Sequence, residues 1–344
     1  MSSLKLNSSG GGSVTLTPAS TASNLTATVP AVADTLAVQG QLGLRNKIIN
    51  GAMMIDQRNA GAAQTINNTT AYSVDRWAVN FSGGSGTAQR VTGSGSFQYA
   101  LRLTGGSGVT SGFFSQKIES YNIADCASST VTYSIRLSSS IITSLTWYAR
   151  YPNSQDNYSG VTLITSGTVN ITSTPTNYTF QIALPSQVTN GLEVYFTFGS
   201  FTSGTIDITG VQLEKGATAT PFENRLYGTE LALCQRYLPA WTFGSSGYVT
   251  VCQGQAVTGS GAYGILMLPV QARVIPTGIV TTGTFCSITA SYGVGGSSAL
   301  SIGAYSTTSL VSLVLGSTSG LVAGNSTFIA SVSGGTLYCT GCEL

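Results

Sequence analysis

Apolar residues recur at every second position over long stretches of this chain, and the positions between them hold mostly uncharged polar side chains. Val131, Tyr133, Ile135 and Leu137 alternate with Thr132, Ser134 and Arg136, and the same period runs through Tyr178, Phe180, Ile182 and Leu184 and through Val194, Phe196 and Phe198. A period of two puts alternate side chains on opposite faces of a strand, so each segment predicts a strand with one face in a core. Across Gly210 the apolar phase of residues 206–213 shifts by one, the signature of a β-bulge. The fold class expected is all-β.

At 344 residues the chain exceeds one compact core and divides into domains of about 100–200 residues. Residues 1–43 are expected to be an extended arm, with a Gly10-Gly11-Gly12 hinge and short strands at 14–17 and 25–29. An isolated hairpin is marginal in water, so this arm is expected to pair with another copy or to dock on a partner. Residues 44–225 are expected to form a jelly-roll β-sandwich. Residues 226–240 are expected to form a linking helix, with Leu231, Cys234 and Leu238 on one face, Thr229 as cap and Pro239 as stop. Residues 241–344 are expected to form a second, smaller β-sandwich, with strands at 248–253, 262–269, 285–291, 310–315 and 328–332.

Charge narrows the function classes. Only 8% of residues are charged, with net charge +2, against roughly 25% in an average soluble domain. Such a balance offers no field to hold nucleic acid or an anionic membrane. No run approaches the roughly 18 apolar residues of a spanning helix, so membrane insertion is not expected. The opening residues lack a basic segment followed by an apolar one, so synthesis in a cytoplasm without Sec export is expected.

Histidine is absent, which removes the usual general base and the commonest metal ligand. The six cysteines show no framework spacing and are expected to be reduced. Cys339-Thr-Gly-Cys342 alone cannot close a four-ligand zinc site. A glycosidase needs two carboxylates about 5–10 Å apart, and Asp156, Glu193 and Asp207 sit in no catalytic motif. No enzyme activity, cofactor or metal is expected. Glycine stretches at 83–86 and 105–108 lack the Lys-Ser/Thr of a phosphate loop.

Six segments in order carry a resemblance: LRNKIINGAMMIDQRNAG (44–61), YSVDRW (72–77), FSQKIESYNIAD (114–125), GVQLEKG (210–216), ATPFE (219–223) and YGTELALCQRY (227–237). Together they resemble a module of tail-fibre and other virion structural proteins of tailed bacteriophages. The match beyond is looser, through LPVQARVIP (268–276) and the closing CEL (342–344). The resemblance implies a sandwich similar to carbohydrate-binding modules, in a homotrimeric virion component without catalysis. It carries over no binding residues, because the shared motifs look structural. Asp75-Arg76 is expected to be an ion pair fixing a strand end beside a core Trp77, and Asp56-Gln57-Arg58 to tie down the first strand.

The expected function is therefore a non-enzymatic phage tail fibre, held to other virion proteins by residues 1–43 and contacting host-surface glycans. The alternative is a capsid decoration or head-fibre protein with a purely structural role. Tyr, Asn, Asp and Arg at a loop tip suit sugar faces and hydroxyls, so the segment 148–158 supplies the candidates Arg150, Tyr151, Asn153, Asp156, Asn157 and Tyr158. Tyr292 and Tyr305, beside glycine-rich loops, are candidates for an outward tip.

Overall fold

A computed structural model describes residues 4–7, 11, 13–16, 44–245, 247–289, 294–295, 300–316 and 320–344. The chain divides into two units, Met1–Gln41 and Leu42–Leu344. In the first, β1 (Leu4–Asn7) pairs antiparallel with β2 (Ser13–Leu16), Leu4 opposite Leu16. The strand expected at 14–17 thus starts one residue earlier, on a partner that the alternation was too short to reveal. The strand expected at 25–29 lies outside the described residues.

The second unit opens with a sandwich. Its strands are β3 (Gln64–Asn67), β4 (Ala71–Tyr72), β5 (Ala78–Ser82), β6 (Ser85–Thr92), β7 (Tyr99–Thr104) and β8 (Ser111–Ile118). After a short helix α1 (Ser120–Ile123) follow β9 (Thr130–Ser139), β10 (Ser144–Ser154), β11 (Asn157–Asn170), β12 (Thr176–Ala183), β13 (Leu192–Phe198) and β14 (Thr205–Lys215). They form two antiparallel sheets, ordered β11-β10-β13-β8-β5-β4 and β12-β9-β14-β7-β6-β3. The inward phase of each strand fills one core that includes Trp77, Phe81, Phe114, Tyr133 and Phe196. The expected bulge is present: the β14–β9 register shifts between Thr209 and Gln212, with Gly210 at φ +57°.

The shared motifs converge at one end of this sandwich and bond to one another. Asn46 accepts from the amides of Ile48 and Leu213 and donates to the Val211 carbonyl. Gln116 exchanges two bonds of 2.8 Å with the Ile49 backbone. Asn50, at φ +59°, bonds the Ile55 backbone in both directions, and its carbonyl accepts from the Trp77 indole. Gly51 is required by close approach, since a Cβ there would lie 2.0 Å from the Val211 oxygen. Buried polar groups of this kind are retained only when partnered, so the motifs are legs of one network.

Two readings of these motifs need correction. Asp75 and Arg76 are both buried but are not each other's partners. Asp75 accepts from the Gln57 amide and side chain at 3.0 and 2.6 Å, whereas Arg76 pairs with Glu343 and stacks 3.6 Å over Tyr237. Successive residues at a tight turn point to different sides, so sequence adjacency misassigned them. Asp56 holds the following turn through the amides of Asn59 and Gly61. The linking helix α2 (Tyr227–Gln235) is capped by Leu226 without a side-chain bond, leaving Thr229 inside it. Glu230 instead accepts from Arg225 and the Asn50 amide.

Burial pushes the Asp75 carboxyl up to about 6, against the nearby Arg58 and the Gln57 bonds. A raised acid favours folding below its unfolded value near 3.8, and that contribution is lost as pH rises through about 6. Urea midpoints should therefore carry a term that strengthens folding between pH 7 and pH 5. That term should vanish in Asp75→Asn, and an unchanged pH slope in the variant would refute the assignment.

Residues 240–344 build one eight-stranded sheet. Its strands are β15 (Ala240–Phe243), β16 (Tyr248–Thr258), β17 (Gly261–Met267), β18 (Gly278–Thr289), β19 (Val294–Gly295), β20 (Leu300–Ile302), β21 (Leu310–Leu315) and β22 (Ser326–Thr340). The order is β19-β18-β22-β16-β17-β21-β20, with β15 also on β22. Cys252, Phe285, Val311, Leu313, Ile329 and Leu337 lie in its own core. All six cysteines are buried and free. Burial raises the Cys339 thiol to about 12 and the Cys342 thiol to about 11, so both stay protonated as packing residues. Among the described residues no helix is long and apolar enough to cross a membrane.

Candidate functional site

The outward phase of the sheet containing β8, β10 and β13 departs from the polar pattern of a solvated sheet. β13 presents Glu193, Tyr195 and Thr197 outward while Leu192, Val194, Phe196 and Phe198 fill the core. Register places Tyr148 opposite Tyr195 and Arg150 opposite Glu193 on one side, and Ser115 opposite Tyr195 and Phe113 opposite Thr197 on the other. Three rings therefore meet on the surface, with Phe113 to Tyr195 at 4.6 Å and Tyr148 to Tyr195 at 6.0 Å between centroids. Each is only partly buried.

Polar groups rim the rings. Arg150 lies 4.1 Å over the Tyr195 ring and donates from Nε to Glu193 at 2.7 Å. Among the described residues its two Nη groups have no acceptor, which leaves them as donors beside the aromatic surface. Asn80, opposite Phe113 on β5, accepts from Ser82 at 3.0 Å and keeps its amide donors. Burial pushes the Tyr195 phenol above its ordinary value, partly offset by Arg150, so the hydroxyl remains a donor at neutral pH. The platform thus offers flat apolar area beside hydroxyl-matching groups, with the Arg150–Glu193 pair and Lys117, opposite Glu193 on β8, at its edge.

Arg150 is thus the sequence candidate that the structure places at this surface. The segment 148–158 is not a loop: residues through Ser154 belong to β10, and a two-residue turn, Gln155-Asp156, leads into β11. Its composition is that of a turn, but the flanking alternation was masked by Pro152. Tyr151 packs against the sandwich core. Asp156 receives the Ser120 amide and hydroxyl at 2.7 and 2.9 Å, and Tyr158 donates to the Ile118 carbonyl at 2.7 Å. Asn153 accepts from Thr162 and Asn157 from the Ser159 amide. These four therefore brace the hairpin end. Tyr305 is 83% exposed beside a groove of about 520 Å³ in the C-terminal sheet, and Tyr292 lies outside the described residues.

Phe113 and Tyr195 lie outside the sequence candidates, and Tyr148 opens the segment 148–158 without being one of them. A signal existed for two of them: Tyr195 occupies the polar phase of its strand, and Phe113-Phe114 puts adjacent aromatics where only one can face inward.

No protein-family model matches the chain, and no curated protein matches it. Among solved structures it is similar over 48% of its length to a CBM4 carbohydrate-binding module, covering 98% of that chain at 16% identity and TM-score 0.28. A CBM61 module solved with β-1,4-galactotriose matches over 50% of this chain and 100% of its own, at 11% identity and TM-score 0.32. The enzymatically active domain of tailspike protein 4 from bacteriophage CBA120 matches over 50% of this chain and 21% of its own, at 17% identity and TM-score 0.32.

Proposed function

We propose that this chain is a non-enzymatic fibre component of a tailed-phage particle whose sandwich contacts host-surface glycans through the Phe113, Tyr148 and Tyr195 platform. The observation that carries the glycan reading is the cluster of three partly exposed rings, rimmed by Arg150, Asn80 and Glu193, on a sheet face where water-facing polar residues are the rule. Sugar rings present flat C–H faces and peripheral hydroxyls, and this surface offers a complement to each. The virion reading rests on the six ordered motifs, with residues 1–43 as the docking arm and homotrimerisation supplying avidity.

The carboxylates support a binding role over hydrolysis. Among the described residues each Asp and Glu accepts a hydrogen bond from within the chain, including Glu193 from Arg150, Asp156 from Ser120 and Asp207 from Arg102. Hydrolysis requires a facing acid and base free to act on substrate.

The test is an oligosaccharide array probed with the full chain. Retention of a host-surface saccharide, released by Tyr148→Ala combined with Tyr195→Ala, is expected. No retention at millimolar saccharide, or retention indifferent to both substitutions, would overturn the reading and favour a capsid decoration role.

A further inference from the structure

The second sheet of the sandwich, β12-β9-β14-β7-β6-β3, has an outward face of its own. Leu101, Leu103, Ile135, Leu137, Ile206 and Ile208 fill the core, so strand alternation turns Arg102, Arg136, Asp207 and Thr209 outward. Register sets Arg136 between Asn177 on β12 and Thr209 on β14, and Asp207 opposite Arg102 on β7. Arg102 is committed to Asp207 through two bonds of 2.7 and 2.8 Å. Arg136 is not committed to any carboxylate among the described residues. Its Nε donates to the Ser94 hydroxyl at 3.1 Å and its Nη1 to the Asn177 carboxamide at 3.0 Å, and among the described residues its Nη2 has no acceptor. The cavity that these groups line, of about 170 Å³, thus holds two guanidiniums and one carboxylate.

Asn177 also lines a second cavity of about 200 Å³, which lies over the Gly210 bulge. Phe97 rests on Gly210, where a Cβ would stand 2.5 Å from its ring, and meets Phe222 edge-on at 5.0 Å between centroids. Both rings are partly buried. Glu214, further along β14, is taken by Thr220 and Arg45, so among the described residues the uncompensated charge of this groove is Arg136.

We propose that the groove binds a linear acidic saccharide, with Arg136 receiving the carboxylate of one sugar and the Phe97–Phe222 pair the C–H face of its neighbour. A guanidinium with a free Nη and no carboxylate of its own selects an anion. One such charge is too few for a nucleic acid, which is held by neutralising successive phosphates. The floor is a sheet face whose N–H and C=O groups are taken by the strand ladders, so an extended peptide finds no backbone partners on it. A sugar instead presents hydroxyls to side chains, and Ser94, Asn177 and Gln212 are there to meet them. The inference shares with the glycan reading only the class of ligand, and it uses none of the Phe113, Tyr148 and Tyr195 rings.

Calorimetric titration of the full chain with trigalacturonate, and with its methyl ester, which keeps the rings and loses the charges, tests it. The acid should bind about 10-fold more tightly than the ester. Arg136→Gln should bring the acid down to the affinity of the ester with an unchanged circular dichroism spectrum, since the side chain faces outward. Arg136→Lys, which keeps the charge, should retain part of the preference. Tyr195→Ala should leave the preference intact, so that failure of the platform and failure of the groove read separately. No binding of the acid, equal affinity for acid and ester, a preference that survives Arg136→Gln, or displacement of the acid by equimolar inorganic phosphate or polyglutamate would overturn the proposal.

Discussion

Replacing Glu343 by Ala should lower the unfolding free energy by about 3–5 kcal/mol, the cost of leaving a buried partner charge uncompensated. Arg76 is 1% exposed and has no solvent to turn to. Its guanidinium is held by the Glu343 carboxylate, by the Lys117 carbonyl at 2.7 Å and by the Tyr237 ring. Burial alone would lower its affinity for the proton, but Glu343 reverses this and raises it. Arg58 donates to the other Glu343 oxygen at 3.0 Å, while Tyr72 and Lys117 donate to the Leu344 oxygen at 2.8 and 2.9 Å. Without Glu343, Arg58 keeps only Asp75 at 4.0 Å, Arg76 keeps no carboxylate among the described residues, and the strap from the C-terminal sheet to the sandwich loses its charged end. Asp207→Ala sets the contrast: its pair with Arg102 is about a third exposed, and surface pairs contribute at most about 1 kcal/mol. Urea unfolding at pH 7 measures both, and a Glu343→Ala loss no larger than that of Asp207→Ala would show that the clamp is not what joins the parts.

Replacing Tyr195 by Ala should weaken saccharide binding about 30-fold, corresponding to about 2 kcal/mol for a central hot-spot ring at 1.4 kcal/mol per decade. Tyr195 is the middle ring of the three and the one over which Arg150 stacks. Its loss removes the stacking surface and leaves Arg150 held by Glu193 alone. The side chain faces away from the core, so the unfolding midpoint should move little. Calorimetric titration should thus show a large affinity loss without a matching stability loss. Equal losses in both would mean that the ring serves packing alone.

Alternation exposed the sandwich strands because each buries one face, and the phase shift at Gly210 located the bulge for the same reason. It could not show which outward residues meet, since the Tyr148–Tyr195 and Phe113–Tyr195 contacts depend on strand order and register that join residues far apart in sequence. The sequence neighbours of Arg150 mark it as a candidate, yet the groups it meets, Glu193 and Tyr195, lie across strands. Asp156 and Tyr158 drew attention by composition but spend their polar atoms on Ser120 and Ile118. Nothing local marks Glu343, 267 positions away, as the partner of Arg76, whereas Asp75 is adjacent to it in sequence. The motifs that carried the resemblance were informative about fold because they form the buried polar network, and uninformative about ligand for that same reason.

The platform claim is tested most directly by NMR of the full chain with isotope-labelled Phe and Tyr rings, titrated with the saccharide retained on the array. The account predicts shifts at Phe113, Tyr148 and Tyr195 that saturate together. Shifts confined to Tyr263 and Tyr305, with the three sandwich rings unmoved, would contradict it.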